Sequence, residues 1–375
     1  MLQRFMPDCL KRGLLVLSAL AASAFSTVHA ATDSTISVEL RAVRTTLTAS
    51  DDVEFQLDIR NNSRRAVRLL KWDIPGETDE GSFFEVKRDG VDVLYIGKHY
   101  KRGQPTSADF LVLRPGATLS RTIDLSTQFD FTVTGSYQVS YAPHHELPFD
   151  RSNLVANKIG AEAVVSPGHS EAVIVWVQGA SESLIEKQLL NQYATSPIVL
   201  QSVGYAANCS NSQRSSIGSA VNAANTMATE SKGYLQNTPT ASRASSQRYT
   251  TWFGSYTSSN WGVATNHFVA IDDALDSKPL VFDCGCTSSA YAYVYPTQPY
   301  KIYLCNAFWN APMTGTDSKG GTIIHELSHF NVVAGTDDHA YGQTAAKRLA
   351  SRSPKKALDN ADNHEYFAEN TPALP

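Results

Sequence analysis

The sequence predicts two folded domains: an all-β, immunoglobulin-like sandwich in the first half and an α+β domain in the second. Three observations support this. The chain has 375 residues, 42% of them hydrophobic, which is enough for two cores. From Ile36 onward apolar and polar residues alternate in short runs. In the second half, helical spacing is interspersed with runs rich in aromatic and β-branched residues.

The first half reads as a succession of short strands. Apolar residues alternate at Ile36, Val38 and Leu40 and again over 53–59. Asn61-Asn62-Ser63 then indicates a turn. The pattern continues over 111–113, 119–125, 137–141 and 171–177. Short strands at this spacing are typical of an antiparallel sandwich of immunoglobulin-like type. No cluster of catalytic residue types stands out there.

The second half mixes both element types. Apolar residues at helical spacing predict a core helix over 215–235. Aromatic and β-branched residues predict strands over 248–256, 280–284 and 291–303. The remaining helices carry the motif described next and the C-terminal end. This part is therefore predicted to be α+β.

The motif that carries chemistry is His325-Glu326-Leu327-Ser328-His329. Residues four apart on a helix share a face, so His325 and His329 can bind one ion while Glu326 stands beside it as a base. Catalytic zinc usually takes three protein ligands and keeps a position for water, whereas structural zinc sites close all four. The motif therefore predicts a catalytic zinc site that needs one more ligand.

Three patterns compete for the third ligand. Metzincins would need Gly at position 332 and His at 335, and the chain has Val332 and Gly335, which excludes them. A gluzincin would use a glutamate on a second helix, either Glu365 or Glu369. Asp338 is the better candidate, because Gly335 permits a sharp reversal after the motif helix and a compact oxygen ligand follows it.

Tyr341 lies three residues beyond Asp338. If that segment is a turn of helix, the two side chains share a face, and the Tyr341 phenol can donate a hydrogen bond to a developing oxyanion. Ligands, base and electrophile are then all present. Histidines outside the motif, including His339, are expected to make ordinary polar contacts and are assigned no role.

At these residues the chain resembles the aspzincins, the deuterolysin family, whose signature is His-Glu-x-x-His followed by Gly-Thr-x-Asp-x-x-Tyr-Gly. The second part matches without a gap from Gly335 to Gly342. The similarity is strongest to the peptidyl-Lys metalloendopeptidases of that family and runs from about Cys209 to the end of the chain. It implies a zincin-like fold in which His325, His329 and Asp338 bind one zinc, Glu326 is the general base and Tyr341 steadies the tetrahedral intermediate.

The resemblance also implies a substrate. In the lysine-specific members two carboxylates line the pocket for the residue after the cut bond, and they fall on Asp362 and Glu365. Residues three apart share a helical face, so both can meet one ammonium. The alternative is a solvated acidic face beside the C-terminus, as charge runs usually are.

Residues 1–30 predict a secretory signal peptide. Basic residues precede an apolar run over 14–25, and Val28-His29-Ala30 provides a small-residue cleavage site. The run is too short to span a membrane, and no later stretch approaches the necessary ~20 residues. We therefore expect a secreted, extracellular protein without a membrane partner.

Four cysteines remain after Cys9 leaves with the signal peptide: Cys209, Cys284, Cys286 and Cys305. Their even number fits two disulfides in an oxidising compartment. Linking Cys284 to Cys286 would close a strained ring, which leaves two pairings. The resemblance implies Cys209 with Cys284 and Cys286 with Cys305. A structural zinc on these sulfurs is the competing interpretation.

The position of residues 31–180, between a signal peptide and a predicted protease, suggests a prodomain that assists folding and inhibits the enzyme until removed. A retained accessory domain is the alternative. Residues 181–204 read as a linker and 205–375 as the peptidase domain. Because the linker contains Lys187, an enzyme that cuts before lysine could process itself after Glu186. Apolar residues in the same segment could instead form a docked amphipathic helix.

The formal net charge of -4 is spread thinly, without a basic stripe, so nucleic acid is not an expected partner. The expected substrates are proteins or peptides. Two alternatives stay open: a metalloendopeptidase of broader specificity, and a secreted binding or adhesion protein whose zinc is purely structural. Intact Glu326 and Tyr341 favour catalysis, because a structural site requires neither.

Overall fold

The structure is a computed structural model that describes residues 35–77, 81, 83–143, 162–195 and 202–375, with only the backbone given for 192–195. The predicted signal peptide lies outside the described residues. The first half forms twelve described strands. They are β1 Ile36–Ala42, β2 Thr46–Thr48, β3 Glu54–Asn61, β4 Val67–Leu70, β5 Phe84–Arg88, β6 Val91–Asp92, β7 His99–Lys101, β8 Phe110–Leu113, β9 Thr118–Asp124, β10 Gly135–Tyr141, β11 Ala163–Val164 and β12 Val173–Gln178.

Eleven of these strands form three sheets around one apolar core. Their orders are β1-β3-β9, β2-β12-β10-β5-β6 and β11-β4-β8. In β3, Phe55, Leu57 and Ile59 point into the core, as the period of two requires. The sequence predicted a purely antiparallel sandwich, but β2 runs parallel to β12 and β4 runs parallel to β11. Both parallel pairs are short and join strands that are distant in sequence, which local patterning does not specify.

The twelfth strand, β7, belongs to a different sheet. The second half contributes β13 Ser202–Tyr205, β14 Pro279–Asp283, β15 Ala292–Val294 and β16 Lys301–Leu304. The described sheet has the order β13-β14-β16-β15-β7, so a strand from the first half forms its edge. Strand β7 runs antiparallel to β15 and pairs Tyr100 with Tyr293. Strand β13 begins inside the segment predicted as linker.

Ten described helices complete the chain. They are α1 Leu184–Thr195, α2 Asn211–Asn237, α3 Thr240–Arg243, α4 Gln247–Phe253, α5 Ser258–Ser277, α6 Asn306–Asn310, α7 Lys319–His329, α8 Gln343–Arg352, α9 Pro354–Leu358 and α10 Ala361–Glu369. None of the helices in the described part of the chain has the length and apolar character that crossing a membrane requires. In α1, Leu184 and Leu190 are more than two thirds exposed, so its apolar residues are not docked as a buried stripe.

Two strand predictions need correction. The segment predicted as a strand over 248–256 contains helix α4, because Tyr249, Trp252 and Phe253 recur at helical spacing and are all buried. Ser246 caps this helix, and Gly254 ends it with a φ of 78°. The predicted strand over 291–303 is two short strands, β15 and β16, that pair with each other.

Helix α7, which carries the motif, is held in the centre of the second half. The Ser318 hydroxyl accepts a hydrogen bond from the Gly321 amide and caps its first turn. A Cβ on Gly320 would overlap Met227 of α2, and one on Gly321 would overlap Glu369 of α10. The two glycines therefore allow both neighbouring helices to approach α7 closely.

Both disulfides pair as the resemblance implied. Cys209 bonds Cys284 and Cys286 bonds Cys305. The first joins the residues before α2 to the end of β14, and the second joins the following loop to the end of β16. A zinc site on these sulfurs is thereby excluded.

Candidate active site

The three predicted metal ligands converge at one point. The Nε2 atoms of His325 and His329 lie 3.1 Å apart. Asp338 Oδ1 lies 3.3 Å from the first and Asp338 Oδ2 lies 3.5 Å from the second. Two donors on a tetrahedral zinc, each bonded at about 2.0 to 2.1 Å, lie roughly 3.3 Å apart. The spacing therefore fits one zinc ion held by two imidazoles and a carboxylate.

The chemistry of the donor set points the same way. Both oxygens of Asp338 are buried and make no hydrogen bond with any described residue. Burial alone would raise the pKa of Asp338, but the imidazoles of His329 and His325 outweigh it and lower that pKa. A buried carboxylate without donors is costly unless a cation faces it. The residues present thus fit a metal ion.

The loop that carries Asp338 is fixed by helix α10. Gly335 turns the chain with a φ of 60°, the reversal that the sequence predicts. The Asn360 side-chain oxygen then accepts hydrogen bonds from the amides of His339 and Ala340. Residues 335–342 are not helical, so Tyr341 reaches the site from a loop and not from the predicted turn of helix.

Each histidine is oriented through its other ring nitrogen. His329 Nδ1 lies 2.7 Å from the Thr336 carbonyl oxygen, and His325 Nδ1 lies 2.9 Å from Asp362 Oδ1. Such contacts fix the tautomer that leaves Nε2 free for a metal. Asp362, predicted only as a substrate-binding residue, therefore also positions a metal ligand.

The glutamates considered as alternative third ligands lie elsewhere. Glu369 accepts hydrogen bonds from the Ser318 amide and hydroxyl. Glu365 Oε2 lies 3.4 Å from His325 Nδ1, the nitrogen that faces away from His329. The geometry favours Asp338 and does not support the gluzincin pattern.

Glu326 and Tyr341 both contact one peptide unit of strand β7. The Tyr341 hydroxyl donates a hydrogen bond of 2.7 Å to the Tyr100 carbonyl oxygen. The Lys101 amide donates one of 3.2 Å to Glu326 Oε1. Burial raises the pKa of Tyr341 and of Glu326, which keeps the phenol protonated and makes the carboxylate a stronger base.

The pocket beside this peptide unit holds the Lys101 side chain. Its Nζ lies 2.8 Å from Asp362 Oδ1 and 2.8 Å from Glu365 Oε2, and all three side chains are fully buried. The Nζ also lies 3.1 Å from Asp317 Oδ1 and 5.2 Å from the ring centre of Tyr366. Asp362 and Glu365 share a face of α10, as predicted.

The charged groups in this pocket shift the pKa values of one another. Burial alone would lower the pKa of Lys101, but Asp362 and Glu365 outweigh it and hold that pKa well above its usual value. Burial would raise the pKa of Asp362, yet Lys101 and His325 lower it. For Glu365 burial prevails over Lys101, and the pKa is raised. The pocket therefore offers a cation one carboxylate with a lowered pKa, that of Asp362. The second, Glu365, has a raised pKa, so its ionisation depends on the cation that pairs with it.

Four residues at this site were not predicted from the sequence. Asp317 lies in the loop before α7, and His99, Tyr100 and Lys101 lie in the half where no site was predicted. The His99 ring stacks on His329 with 4.5 Å between ring centres. Its Nδ1 is 3.9 Å from Asp338 Oδ2, farther than the spacing of tetrahedral ligands, so His99 lies beside the metal ligands and not among them.

The site combines two imidazoles and a carboxylate at metal-ligand spacing with a second carboxylate and a phenol that both hydrogen-bond to one peptide unit. This combination defines a zinc metallopeptidase. Comparisons with known proteins agree. The aspzincin family model, described as lysine-specific metallo-endopeptidase, matches residues 238–369. An extracellular protease of Aeromonas hydrophila is 45% identical over 326 residues, which cover 87% of this chain and 90% of that protein.

Two proteins of Grifola frondosa are also similar. A peptidyl-Lys metalloendopeptidase is 36% identical over 335 residues, 88% of each chain. The solved structure of a zinc peptidase is 49% identical in sequence. The match covers 44% of this chain and all of the solved chain, with a TM-score of 0.42. The chain belongs to the aspzincin family.

Membership confirms the resemblance drawn from the motif. The protein is a zinc-dependent metalloendopeptidase with a zincin-like peptidase domain, and its substrates are proteins or peptides. A binding or adhesion protein with a purely structural zinc, one alternative from the sequence, is excluded.

Proposed function

We propose that this protein is a secreted endopeptidase that cuts the bond preceding lysine and is made as an inhibited precursor. One observation carries the proposal: the Lys101 ammonium lies between Asp362 and Glu365 while the Tyr100–Lys101 peptide unit lies on Tyr341 and Glu326. The chain thus contains a lysine bound in the pocket assigned to substrate. Relatives named peptidyl-Lys metalloendopeptidases support the same specificity.

Selection of lysine follows from the cost of burying charge. Two adjacent buried carboxylates repel each other and lose their hydration, so the empty pocket favours a ligand that brings a positive charge. A hydrogen bond to a charged group contributes about 1.5–3 kcal/mol, and the ammonium here donates one to Asp362 and forms an ion pair with Glu365. A neutral side chain of similar length makes neither.

The proposed roles of the catalytic residues follow from their positions. His325, His329 and Asp338 hold the zinc, which supplies Lewis-acid activation when bound. Glu326 takes a proton from the attacking water and delivers it to the leaving nitrogen, the atom that already faces its Oε1. Tyr341 donates to the carbonyl oxygen, and this bond strengthens as negative charge develops there.

The proposed precursor consists of a signal peptide at 1–30, an immunoglobulin-like prodomain at 31–180, a linker at 181–204 and the peptidase domain at 205–375. Strand β7 supports an inhibitory role, because it covers the edge of β15, fills the lysine pocket and contacts both Glu326 and Tyr341. It also supports a role in folding, because Lys101 brings a positive charge to two adjacent carboxylates that are fully buried.

Digestion of an unfolded protein tests the specificity. The zinc-loaded enzyme, freed of its N-terminal half, is expected to generate peptides that begin with lysine, identified by mass spectrometry. A chelator and Glu326→Gln should both abolish the digest. Equal cleavage before arginine or apolar residues would contradict lysine selection and favour a broader metalloendopeptidase. The culture medium of the producing cell should contain the protein if it is secreted.

A further inference from the structure

Strand β7 is arranged as a substrate and not only as a plug. It is extended and runs antiparallel to β15, with Lys101 opposite Ala292, Tyr100 opposite Tyr293 and His99 opposite Val294. Among the described strands it pairs with no strand of the first-half sheets. Its backbone is therefore ordered by the peptidase domain.

The Tyr100–Lys101 bond is contacted at both its carbonyl oxygen and its nitrogen. Its carbonyl oxygen accepts from Tyr341 at 2.7 Å, and its nitrogen donates to Glu326 Oε1 at 3.2 Å. The other oxygen, Glu326 Oε2, is buried and makes no hydrogen bond with any described residue. One carboxylate oxygen is thus at the leaving nitrogen and the other is free to take a proton. A plug that only fills the lysine pocket requires none of these backbone contacts.

From this register we infer that Tyr100–Lys101 is itself a substrate bond, and that its cleavage within the same molecule is the first step of activation. The inference rests on the proposed function. Water adds to the Tyr100 carbonyl carbon, the carbon–nitrogen bond breaks, and Glu326 transfers the water proton to the Lys101 nitrogen. The second proton of the same water follows to that nitrogen, so the products are a Tyr100 carboxylate and a Lys101 ammonium.

Cleavage here would weaken the inhibition. Before the cut, one backbone holds Tyr100 and Lys101 together at the site, so neither can leave alone. Afterwards two chain ends dissociate separately, and each new terminus carries a charge that favours hydration over burial. The carbonyl side of β7 then remains attached only to the first-half strands before it.

The predicted cut before Lys187 is less accessible in the precursor. Lys187 lies in helix α1, and its Nζ pairs with the exposed Glu182 at 2.6 Å. A helical segment cannot add to the edge of β15 without unwinding, whereas β7 already lies there. We therefore place cleavage at Lys187 after cleavage at Lys101.

The experiment follows the full-length chain, purified with a chelator present, after zinc is added. Samples are denatured at intervals, and fragments are identified by intact mass and N-terminal sequencing. The expected products end at Tyr100 and begin at Lys101, and their rate of appearance should not change over a hundredfold range of protein concentration. Lys101→Gln should slow this cut ~100-fold, because the charged contacts with Asp362, Glu365 and Asp317 are lost.

A matched control is Lys98→Gln. Lys98 lies three residues earlier, with its Nζ 4.9 Å from the ring centre of Tyr293 and outside the carboxylate pocket. Its replacement should leave cleavage after Tyr100 within about twofold of the unsubstituted chain, since this half-buried cation lies over aromatic rings and pairs with neither carboxylate of the pocket. If Lys101→Gln fails to fold, Lys101→Arg retains the charge and should slow the cut without moving it.

Hydrogen exchange supplies a readout that does not depend on activity. In the Glu326→Gln chain, amides 99–101 should be protected, and adding Lys101→Gln should increase their exchange at least tenfold, whereas adding Lys98→Gln should not. Intact Tyr100–Lys101 in a chain that cuts other proteins before lysine would overturn the inference alone. A cut rate proportional to protein concentration would also overturn it. Failure to cut any protein before lysine would instead overturn the proposed function.

Discussion

Replacing Glu365 with glutamine removes one of the two buried charges that contact the lysine ammonium while preserving side-chain size. The lost contact is 2.8 Å long, and the contact with Asp362 remains. The lost contact is an ion pair between fully buried groups, and if it contributes as much as a hydrogen bond to a charged group, about 1.5–3 kcal/mol, kcat/KM for a lysine substrate should fall roughly 10- to 150-fold. The loss of kcat/KM for a norleucine substrate should be threefold or less, because that side chain forms no such bond.

The assay compares two peptides that differ only in lysine or norleucine after the cut bond. The enzyme is prepared with its N-terminal half removed at a protease site inserted between residues 195 and 202. Asp362→Asn serves as a contrast, because Asp362 also contacts His325 Nδ1 at 2.9 Å. That variant should lower kcat/KM for both peptides and weaken zinc binding. Equal losses for the two peptides in Glu365→Gln would refute the assignment of Glu365 to lysine selection.

Four further outcomes are expected. Asp317→Asn should lower kcat/KM for lysine about 3- to 10-fold, less than Glu365→Gln, because Asp317 is 27% exposed and its contact is 3.1 Å long; an unchanged lysine preference would argue against it. Tyr341→Phe should lower kcat on the order of 100-fold with little change in KM, and a change confined to KM would exclude oxyanion binding. Chelation should lower the thermal midpoint of the Glu326→Gln chain, since zinc binds the folded state, and calorimetry would show it. Burial lowers the pKa of His267 to about 4 and that of His364 to about 3, so the folded state disfavours their charged forms. The free energy of unfolding should therefore be greatest above pH 6.5 and fall by roughly 3–6 kcal/mol towards pH 4, about 3 kcal/mol for each histidine, with a smaller fall in His267→Gln, measured by urea denaturation.

Short-range patterns in the chain are enough to predict that the three candidate metal ligands lie together. His325 and His329 are four residues apart on one helix, and Asp338 follows after a single glycine turn. Because all three lie within fourteen residues, their convergence depends on local geometry that the sequence expresses directly. The helix predicted over 215–235 is likewise set by its own spacing and was found as α2.

The substrate side of the site depends on contacts that no local pattern expresses. Lys101 meets Asp362 across 261 positions in sequence, and it does so as the edge of a sheet formed by the other half of the chain. Asp317 lies in a loop with a φ of 52°, where neither helix nor strand periodicity gives a signal. The strand predicted over 248–256 from its aromatic content was wrong. Burial at helical spacing outweighed the strand preference of Tyr249 and Trp252.

Strand β15 has a further consequence for the folding of the precursor. Once β7 departs, β15 presents unpaired amide and carbonyl groups along the rim of the domain, and such rims readily recruit strands from other molecules. In the proposed precursor, β7 would therefore protect the peptidase domain from self-association as well as block its active site. Once exposed, the edge of β15 can pair only with an extended polypeptide segment. Compact globular substrates should therefore resist cleavage until they partly unfold.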